Sequence, residues 1–177
     1  MDLNWDAIGA GAELLGAIGV IGTLLYLARQ IKHNSQQVRG ASTIAVHEFQ
    51  RNLIEHVLNQ PELLALVTRG NLDWNSLSHE EQARYALWNL KEAEFHEMCF
   101  QLWKQGALDE SVYKSRLEYF VPLFSTPGRR TWWDEQASSF MLDPLFYQEM
   151  TVKLNEYQGE DFATKFPQFD GSTSSGD

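Results

Sequence analysis

The chain begins with a hydrophobic stretch and continues with a longer region in which apolar residues recur at helical spacing. The stretch from Ala7 to Ala28 has a single charged side chain, Glu13. An α-helix rises about 1.5 Å per residue, so about 20 apolar residues cross a hydrocarbon core of roughly 30 Å. The stretch therefore predicts a transmembrane helix. The downstream pattern predicts further helices, and no alternating run indicates a strand.

Aromatic and charged residues flank the hydrophobic stretch in the way that membrane spans require. Trp5 and Tyr26 would lie about 31 Å apart along a helix axis, so that both rings reach the headgroup level. Arg29, Lys32 and Arg39 follow the stretch, whereas its N-terminal flank is acidic. We expect these five residues to contact headgroups. The positive-inside rule then places the N-terminus outside a bacterial inner membrane and the C-terminal part in the cytoplasm.

Two other interpretations of the stretch compete with a membrane span. A cleaved signal peptide has a basic N-terminal region and a small-x-small cleavage site, neither of which is evident here. A buried helix of a soluble oligomer is the stronger alternative, because the uncharged run from Leu14 to Ala28 is shorter than a usual span. Glu13 would also cost about 2.5–3.5 kcal/mol at the bilayer centre. The span remains the favoured prediction.

Small residues recur along one side of the predicted span, and in lipid such a stripe lets two helix backbones approach closely. We expect the partner to be another copy of the chain or another membrane protein. Glu13 lies beside the stripe, where it reaches the outer interface or accepts a hydrogen bond from a neighbouring helix. Alternatively, copies of Glu13 form an acidic ring around a pore. The small-residue stripe comprises Gly9, Ala12, Gly16, Gly19, Gly22 and Thr23.

The predicted fold class is all-α, with the N-terminal transmembrane helix continuing into a cytoplasmic helical bundle. The sequence predicts a short N-tail and span at 1–28, a juxtamembrane neck helix at 29–58, a cytoplasmic domain at 59–157 and a flexible tail at 158–177. Prolines, glycines and capping residues divide the domain into helices. The predicted helices are Pro61 to a stop at Gly70, a capping box at Ser78 and Glu81 to about Gln105, Asp109 to Phe124, Gly128 to Met141, and Pro144 after an Asp143 cap to Tyr157.

Charge and cysteine content exclude several classes of function. The chain has 24 acidic and 14 basic residues, a net charge of −10. An acidic surface is repelled by phosphate backbones, so we expect no nucleic-acid partner. The single cysteine, Cys99, excludes an internal disulfide and a cysteine-based zinc site, and it fits a reducing compartment.

The densest group of reactive side chains predicts a core helix in preference to a catalytic site. Glu92 and His96 are four residues apart and share a helix face, but a di-iron bundle needs Glu-x-x-His pairs, which this chain lacks. Zinc-protease, nucleophile-elbow, P-loop and dinucleotide motifs are also absent. We expect no catalytic activity and no cofactor, with Glu97 as a candidate buried carboxylate. The group comprises Glu92, Glu94, His96, Glu97 and Cys99.

An arginine–tryptophan group follows Gly128 and has two interpretations. Tryptophan and arginine dominate protein–protein hot spots, which suggests a partner-binding patch. The favoured alternative places the tryptophans in the core, with the arginines covering them or pairing with Asp134 or Glu135. Further along, Phe162, Phe166 and Phe169 either dock on the domain or on a neighbouring copy, or belong to a disordered tail. The arginine–tryptophan group comprises Arg129, Arg130, Trp132 and Trp133.

Three short motifs make the chain resemble an uncharacterised family of bacterial single-span, membrane-anchored all-α proteins. These are a W-D-A-I-G-A-type span with a Q-I-x-x-N exit, a G-x-L-D turn and an S-x-P-G-x-R-x-W-W segment. The resemblance implies the architecture above and carries no known activity. The matching residues begin at Trp5 and include Gln30, Ile31, Asn34, Gly106, Leu108, Asp109, Ser125, Pro127, Gly128, Arg130, Trp132 and Trp133.

The combined prediction is a membrane-anchored, self-associating scaffold, sensor or accessory protein without catalytic activity. The first alternative is a homo-oligomeric ion channel lined by the N-terminal helices near Glu13. The second alternative is an enzyme that uses the region from Glu92 to Cys99.

Overall fold

A computed structural model describes residues 5–160 and 162–165, and within them it gives no side-chain detail for residues 5–12 and 163. Every regular element in this part of the chain is helical, which confirms the all-α fold class. Predictions for the side chains of Trp5, Gly9 and Ala12, and for the tail beyond Lys165, lie outside the described residues. The helices are α1 (Trp5–Leu58), α2 (Pro61–Leu72), α3 (His79–Lys104), α4 (Glu110–Phe124), α5 (Pro127–Glu135), α6 (Pro144–Glu156) and α7 (Phe162–Lys165), with 3₁₀ helices at Trp74–Ser76 and Ala137–Ser139.

Helix α1 is continuous, so the predicted span and neck form a single helix. The chain nevertheless divides into two compact units between Ala41 and Ser42, inside the predicted neck. The C-terminal unit includes the last part of α1 because Val46 and Leu53 are buried in its core. Residues up to Ala41 are called the N-terminal unit below, and residues from Ser42 onward the C-terminal unit.

The prediction that α2 stops at Gly70 is wrong, because α2 continues to Leu72. Gly70 is instead required by close packing. A Cβ atom at Gly70 would lie 2.7 Å from the Tyr85 ring, and one at Gly128 would lie 1.6 Å from the Gly70 carbonyl oxygen. The two glycines let the backbones of α2 and α5 touch, a use of glycine that has nothing to do with ending a helix.

Helix α3 begins and ends as predicted. The Ser78 N–H donates to the Glu81 carboxylate at 2.9 Å and the Glu81 N–H donates to Ser78 Oγ at 3.4 Å, which completes the capping box. A hydrogen bond from Arg69, together with those from Ser78, lowers the pKa of Glu81 to about 2. After Lys104 the chain turns at Gly106, whose φ of +69° lies in the left-handed region.

Aromatic side chains from α4, α5 and α6 form the centre of the C-terminal unit. The Trp133 ring lies 5.8 Å from Phe120 and 5.7 Å from Phe124, both edge to face. Helix α5 ends at Glu135, earlier than the predicted helix to Met141. It ends there because Phe140 folds back and stacks on Trp132 at 5.8 Å.

The short helix α7 docks on α4 beside a proline. Pro122 lies inside α4 and has no N–H, so the Glu118 carbonyl one turn earlier lacks its usual helical donor. Lys165 Nζ donates to that carbonyl at 3.3 Å. Phe162 is buried against Tyr119, with 5.9 Å between ring centroids. The docking alternative for the tail therefore holds as far as Lys165.

Candidate functional site

The described side chains of the apolar part of α1 are exposed. Within the described residues, one helix is long and apolar enough to cross a membrane, and its apolar window is not buried at all. A signal sequence and the core helix of a soluble protein satisfy the same criteria of length and composition. The large apolar side chains from Leu14 to Leu27 are between 46% and 71% exposed.

The described part of the small-residue stripe is an open surface. An added Cβ at Gly16, Gly19 or Gly22 would meet no atom within 4 Å. The Thr23 hydroxyl donates to the Gly19 carbonyl at 2.9 Å, so the one polar side chain of the described stripe is satisfied within its own helix. This surface can therefore accept the backbone of another helix without exposing a polar group to lipid.

Candidate headgroup residues and Glu13 lie on the surface of the same helix. Tyr26 is 67% exposed. The side chains of Glu13, Arg29, Lys32 and Arg39 are exposed as well. The structure thus leaves these side chains accessible to headgroups or to a neighbouring helix.

Three of the four residues of the candidate partner patch are buried, so the prediction of a surface patch is wrong for them. Arg129 is 1% exposed, and Trp132 and Trp133 are fully buried. Only Arg130 reaches the surface, where its Nε donates to Asp134 at 2.7 Å. The alternative, in which the tryptophans anchor a short helix in the core, describes the structure correctly.

Arg129 forms an ion pair with Glu92 inside the C-terminal unit. Arg129 Nη1 donates to a Glu92 carboxylate oxygen, and Arg129 Nε donates to Asn71 Oδ1 at 2.8 Å. The same Asn71 oxygen accepts a hydrogen bond from the Tyr85 hydroxyl at 2.7 Å. The guanidinium also lies 5.1 Å from the Phe124 ring centroid. Four helices (α2, α3, α4 and α5) therefore meet at one buried arginine.

Burial governs the electrostatics of this polar cluster. It disfavours the charge on Arg129, but Glu92 and the neighbouring tyrosines outweigh burial and raise the pKa of Arg129, so that the guanidinium stays charged. Burial raises the pKa of Tyr85 to about 12 although Arg129 and the fully buried Asn89 oppose the shift. The cluster is thus one ion pair, Arg129 with Glu92, surrounded by neutral polar groups.

The group from Glu92 to Cys99 does not converge on one site. Glu92, His96 and Cys99 lie on the buried side of α3, whereas Glu94 is exposed and Glu97 is half-buried. The His96 ring N–H donates to the Glu92 carbonyl at 2.7 Å, and burial lowers the pKa of His96 to about 4. Burial also raises the pKa of the Cys99 thiol to about 12. This thiol is therefore protonated at neutral pH, the opposite of an activated nucleophile.

Glu94 and Glu97 line a cleft of about 450 Å³ between α3 and residues 139–142. Glu94 and Glu97 contribute its polar edge, and Met98 and Phe140 contribute apolar walls. Burial raises the pKa of Glu97 although a backbone hydrogen bond from Asp143 opposes the shift, and the negative charges of Asp143 and Glu94 add to the rise. The sequence pointed to Glu97 as a buried carboxylate, but the carboxylate that the structure buries in α3 is Glu92, and Glu97 is half-buried. Across the described residues, no group of three or more His, Cys, Asp or Glu side chains could hold a metal ion.

Sequence reasoning missed the Glu92–Arg129 pair, although a signal was present. Tyr85, Asn89, Glu92, His96 and Cys99 follow one another at steps of three and four, so they share a face of α3. Tyr85 and Cys99, at the two ends of that face, are residue types common in protein cores. They indicated that the polar residues between them are also buried. A buried carboxylate needs a cation, and Arg129 lies three residues before the tryptophan pair Trp132 and Trp133.

Comparison with known proteins identifies no relative of this chain. No protein-family model matches it, and neither the curated proteins nor the solved structures give a match.

Proposed function

We propose that the protein is a membrane-anchored, self-associating helical scaffold, sensor or accessory protein without catalytic activity. Helix α1 anchors it in a bacterial inner membrane, with the N-terminus outside and the C-terminal unit in the cytoplasm. The observation that carries the proposal is the exposed apolar surface of α1 around an open glycine face. Eight large apolar side chains between Leu14 and Leu27 are exposed. Burying them in lipid would be favourable by on the order of 10 kcal/mol.

Self-association follows from the glycine face. Lipid tails are as apolar as leucine side chains, so helices in a bilayer associate through close packing of small residues. Gly16, Gly19 and Gly22 leave such a surface open. The partner in this proposal is a second copy of the chain, and another membrane protein is the alternative partner.

A structural role for the polar cluster supports the non-catalytic part of the proposal. Arg129 and Glu92 are engaged with each other, and Asn71 and Tyr85 complete the hydrogen bonds around them. A catalytic acid or base needs a proton-exchange path to a substrate, whereas these groups lie among packed helices.

Membrane fractionation tests the anchor, and size in detergent or nanodiscs tests self-association. The chain should sediment with membranes, resist extraction at high pH and form a dimer or larger oligomer. Gly19→Leu should weaken association at least about tenfold by blocking close approach. Ala17→Leu is the matched control, since it places the same leucine side chain on another side of the helix and should leave association unchanged. A chain that stays monomeric and soluble in buffer without detergent would overturn the proposal.

Ion flux into liposomes separates the scaffold from a channel lined near Glu13. The scaffold predicts no flux from the reconstituted protein and no change with Glu13→Gln. Flux that Glu13→Gln abolishes would replace the scaffold with the channel.

A further inference from the structure

The last part of α1 carries an exposed stripe that the fold leaves uncovered. Its five residues are spaced at alternating steps of three and four, the a/d spacing of a coiled coil. The side chains of Ile44, Ile54 and Leu58 are 61%, 52% and 67% exposed. All five positions lie within the C-terminal unit. The outer stripe, as it is called here, comprises Ile44, His47, Arg51, Ile54 and Leu58.

The outer stripe is separate from the face by which α1 joins the core. Val46 and Leu53 are buried in the core, and Gln50 accepts a hydrogen bond from Arg116 of α4. Each helical residue is offset by about 100° from the one before it, so a set beginning at Ile44 projects away from a set beginning at Val46. The helix therefore has one face buried in its own core and a second, exposed face that carries the apolar side chains of Ile44, Ile54 and Leu58.

Charge on the outer stripe favours a second copy as that molecule. Arg51 lies three residues after Glu48 and four before Glu55, and all three side chains are exposed. None of the three forms an ion pair within the described residues. When two copies of α1 lie parallel and in register, Arg51 of each copy comes between the two copies' Glu48 and Glu55 side chains. A single cationic a position also lowers stability while it fixes register and copy number.

The spacing of the outer stripe continues back to the small-residue stripe. Alternating steps of four and three from Ile44 lead through Gly40, Gln37, His33, Gln30 and Tyr26 to Thr23, Gly19 and Gly16. A strict seven-residue repeat drifts about 20° per heptad on a straight helix, and two helices keep such a stripe in contact by a left-handed supercoil. The same pairing can therefore use both stripes.

We propose that the outer stripe of α1 packs against the outer stripe of a second copy, in a parallel, in-register pair at the membrane surface. The proposal rests on the proposed function, because association of the membrane segments brings the two copies into parallel orientation at high effective concentration. The pair would carry self-association out of the bilayer and fix the two C-terminal units at a defined register.

Disulfide scanning of the full chain in native membranes tests this pairing. Single cysteines placed at each residue from Ile44 to Leu58 are oxidised, and crosslinked dimer is measured. Crosslinking should peak at the five outer-stripe positions, because identical residues face each other only in a parallel, in-register pair. Ala45→Cys and Asn52→Cys are matched controls on other exposed sides of α1 and should crosslink at least about fivefold less. The chain without an added cysteine should not crosslink, since Cys99 is buried.

Charge variants give a second, independent test in the full chain. Arg51→Glu places like charges beside Glu48 and Glu55 and should weaken crosslinking at His47→Cys at least about fivefold. Adding Glu48→Lys and Glu55→Lys to Arg51→Glu should restore it. Asn52→Glu adds a negative charge off the stripe and should have no effect. No loss of crosslinking with Arg51→Glu, or no recovery in the triple variant, would overturn the charge pairing.

Cysteines in the membrane segment distinguish failure of this inference from failure of the proposed function. If Gly16→Cys and Gly19→Cys crosslink while positions 44–58 do not, the outer stripe does not pair and the membrane association stands. If neither set crosslinks and the chain is monomeric in nanodiscs, self-association itself is wrong. Crosslinking of the outer stripe to a different protein would replace the second copy as its partner.

Discussion

At Gly128 in the C-terminal unit an added Cβ would lie 1.6 Å from the Gly70 carbonyl oxygen, whereas at Gly16, Gly19 and Gly22 in the N-terminal unit it would meet nothing within 4 Å. The same residue type is fixed by neighbours in one unit and left open in the other. The close contact with the Gly70 carbonyl explains why residue 128 is a glycine. Gly16, Gly19 and Gly22 lower helix propensity by about 1 kcal/mol each, and no contact within the described residues requires them. Under the proposed function, close packing with a second helix does.

Large side chains show the same contrast. The C-terminal unit buries Trp132 and Trp133 completely, whereas the N-terminal unit exposes Leu15 by 71% and Leu25 by 68%. The hydrophobic effect acts on both sets, and only one set is satisfied by folding. The C-terminal unit therefore buries its large side chains within its own chain, whereas the N-terminal unit leaves its large side chains exposed.

The largest expected effect comes from the glycine contact between α2 and α5. Gly128→Ala should destabilise the C-terminal unit by more than about 4 kcal/mol, because the clash is with a backbone atom that cannot rotate away. Thermal unfolding followed by near-ultraviolet circular dichroism measures the change. Gly40→Ala, at an open position on α1, is the control and should not lower the melting temperature of the unit, because it clashes with nothing and improves helix propensity. Equal changes in melting temperature from the two substitutions would contradict the conclusion that Gly128 is required by a close contact and Gly40 is not.

The next effect concerns the buried ion pair. Arg129→Met or Glu92→Leu should each lower the free energy of unfolding by about 3–5 kcal/mol, because either leaves an uncompensated charge among aromatic rings. The double variant should lose less than the sum of the two, since it removes both charges. Urea unfolding of the three variants measures this coupling. Additive losses would show that Glu92 and Arg129 act independently.

Lowering the pH should reduce the stability of the C-terminal unit by a smaller amount. Burial holds the pKa of His96 at about 4, below its ordinary value of 6.5. The unfolded chain therefore takes up a proton that the folded chain does not, and stability falls as pH drops from 6.5 to 4 by up to ~3 kcal/mol. Urea titrations at intervals across this range measure the slope. His96→Phe removes the titrating group, so its curve should be flatter, and an unchanged slope would assign the loss to other groups.

The smallest effect compares two exposed serines. Ser78→Ala removes the cap of α3 and should cost about 1 kcal/mol of stability. The Ser35 hydroxyl bonds only to the Ile31 carbonyl within α1, so Ser35→Ala should change the unfolding of the C-terminal unit by less than about 0.5 kcal/mol. Thermal unfolding of both variants at one pH makes the comparison. A loss of 1 kcal/mol from Ser35→Ala would show that the units are energetically linked.

Local signals in the sequence were sufficient for much of the fold. The capping box at Ser78 and Glu81, the turn at Gly106 and the Asp143 cap of α6 each depend on contacts within a few residues, and each was predicted at the correct position. The all-α class followed from the same local periodicity. Helix boundaries set by distant residues were not predictable in this way.

Gly70 and Phe140 show why the remaining boundaries were missed. Glycine commonly ends a helix, but the approach of Gly128, 58 residues away, gives Gly70 another role. Phe140 leaves the helical path because its ring stacks on Trp132. The Glu92–Arg129 pair likewise joins residues 37 apart. Such contacts arise from the tertiary fold, and one sequence contains no direct record of them.

The docking of α7 defines where the polypeptide can be cut or extended. A protein shortened to end before Phe162 would uncover Tyr119 and leave the Glu118 carbonyl without the lysine amine that replaces its missing helical donor. Affinity handles, fluorophores and fusion partners therefore belong after Lys165. An epitope placed there would report on the C-terminal end of the chain without loosening the α4 surface.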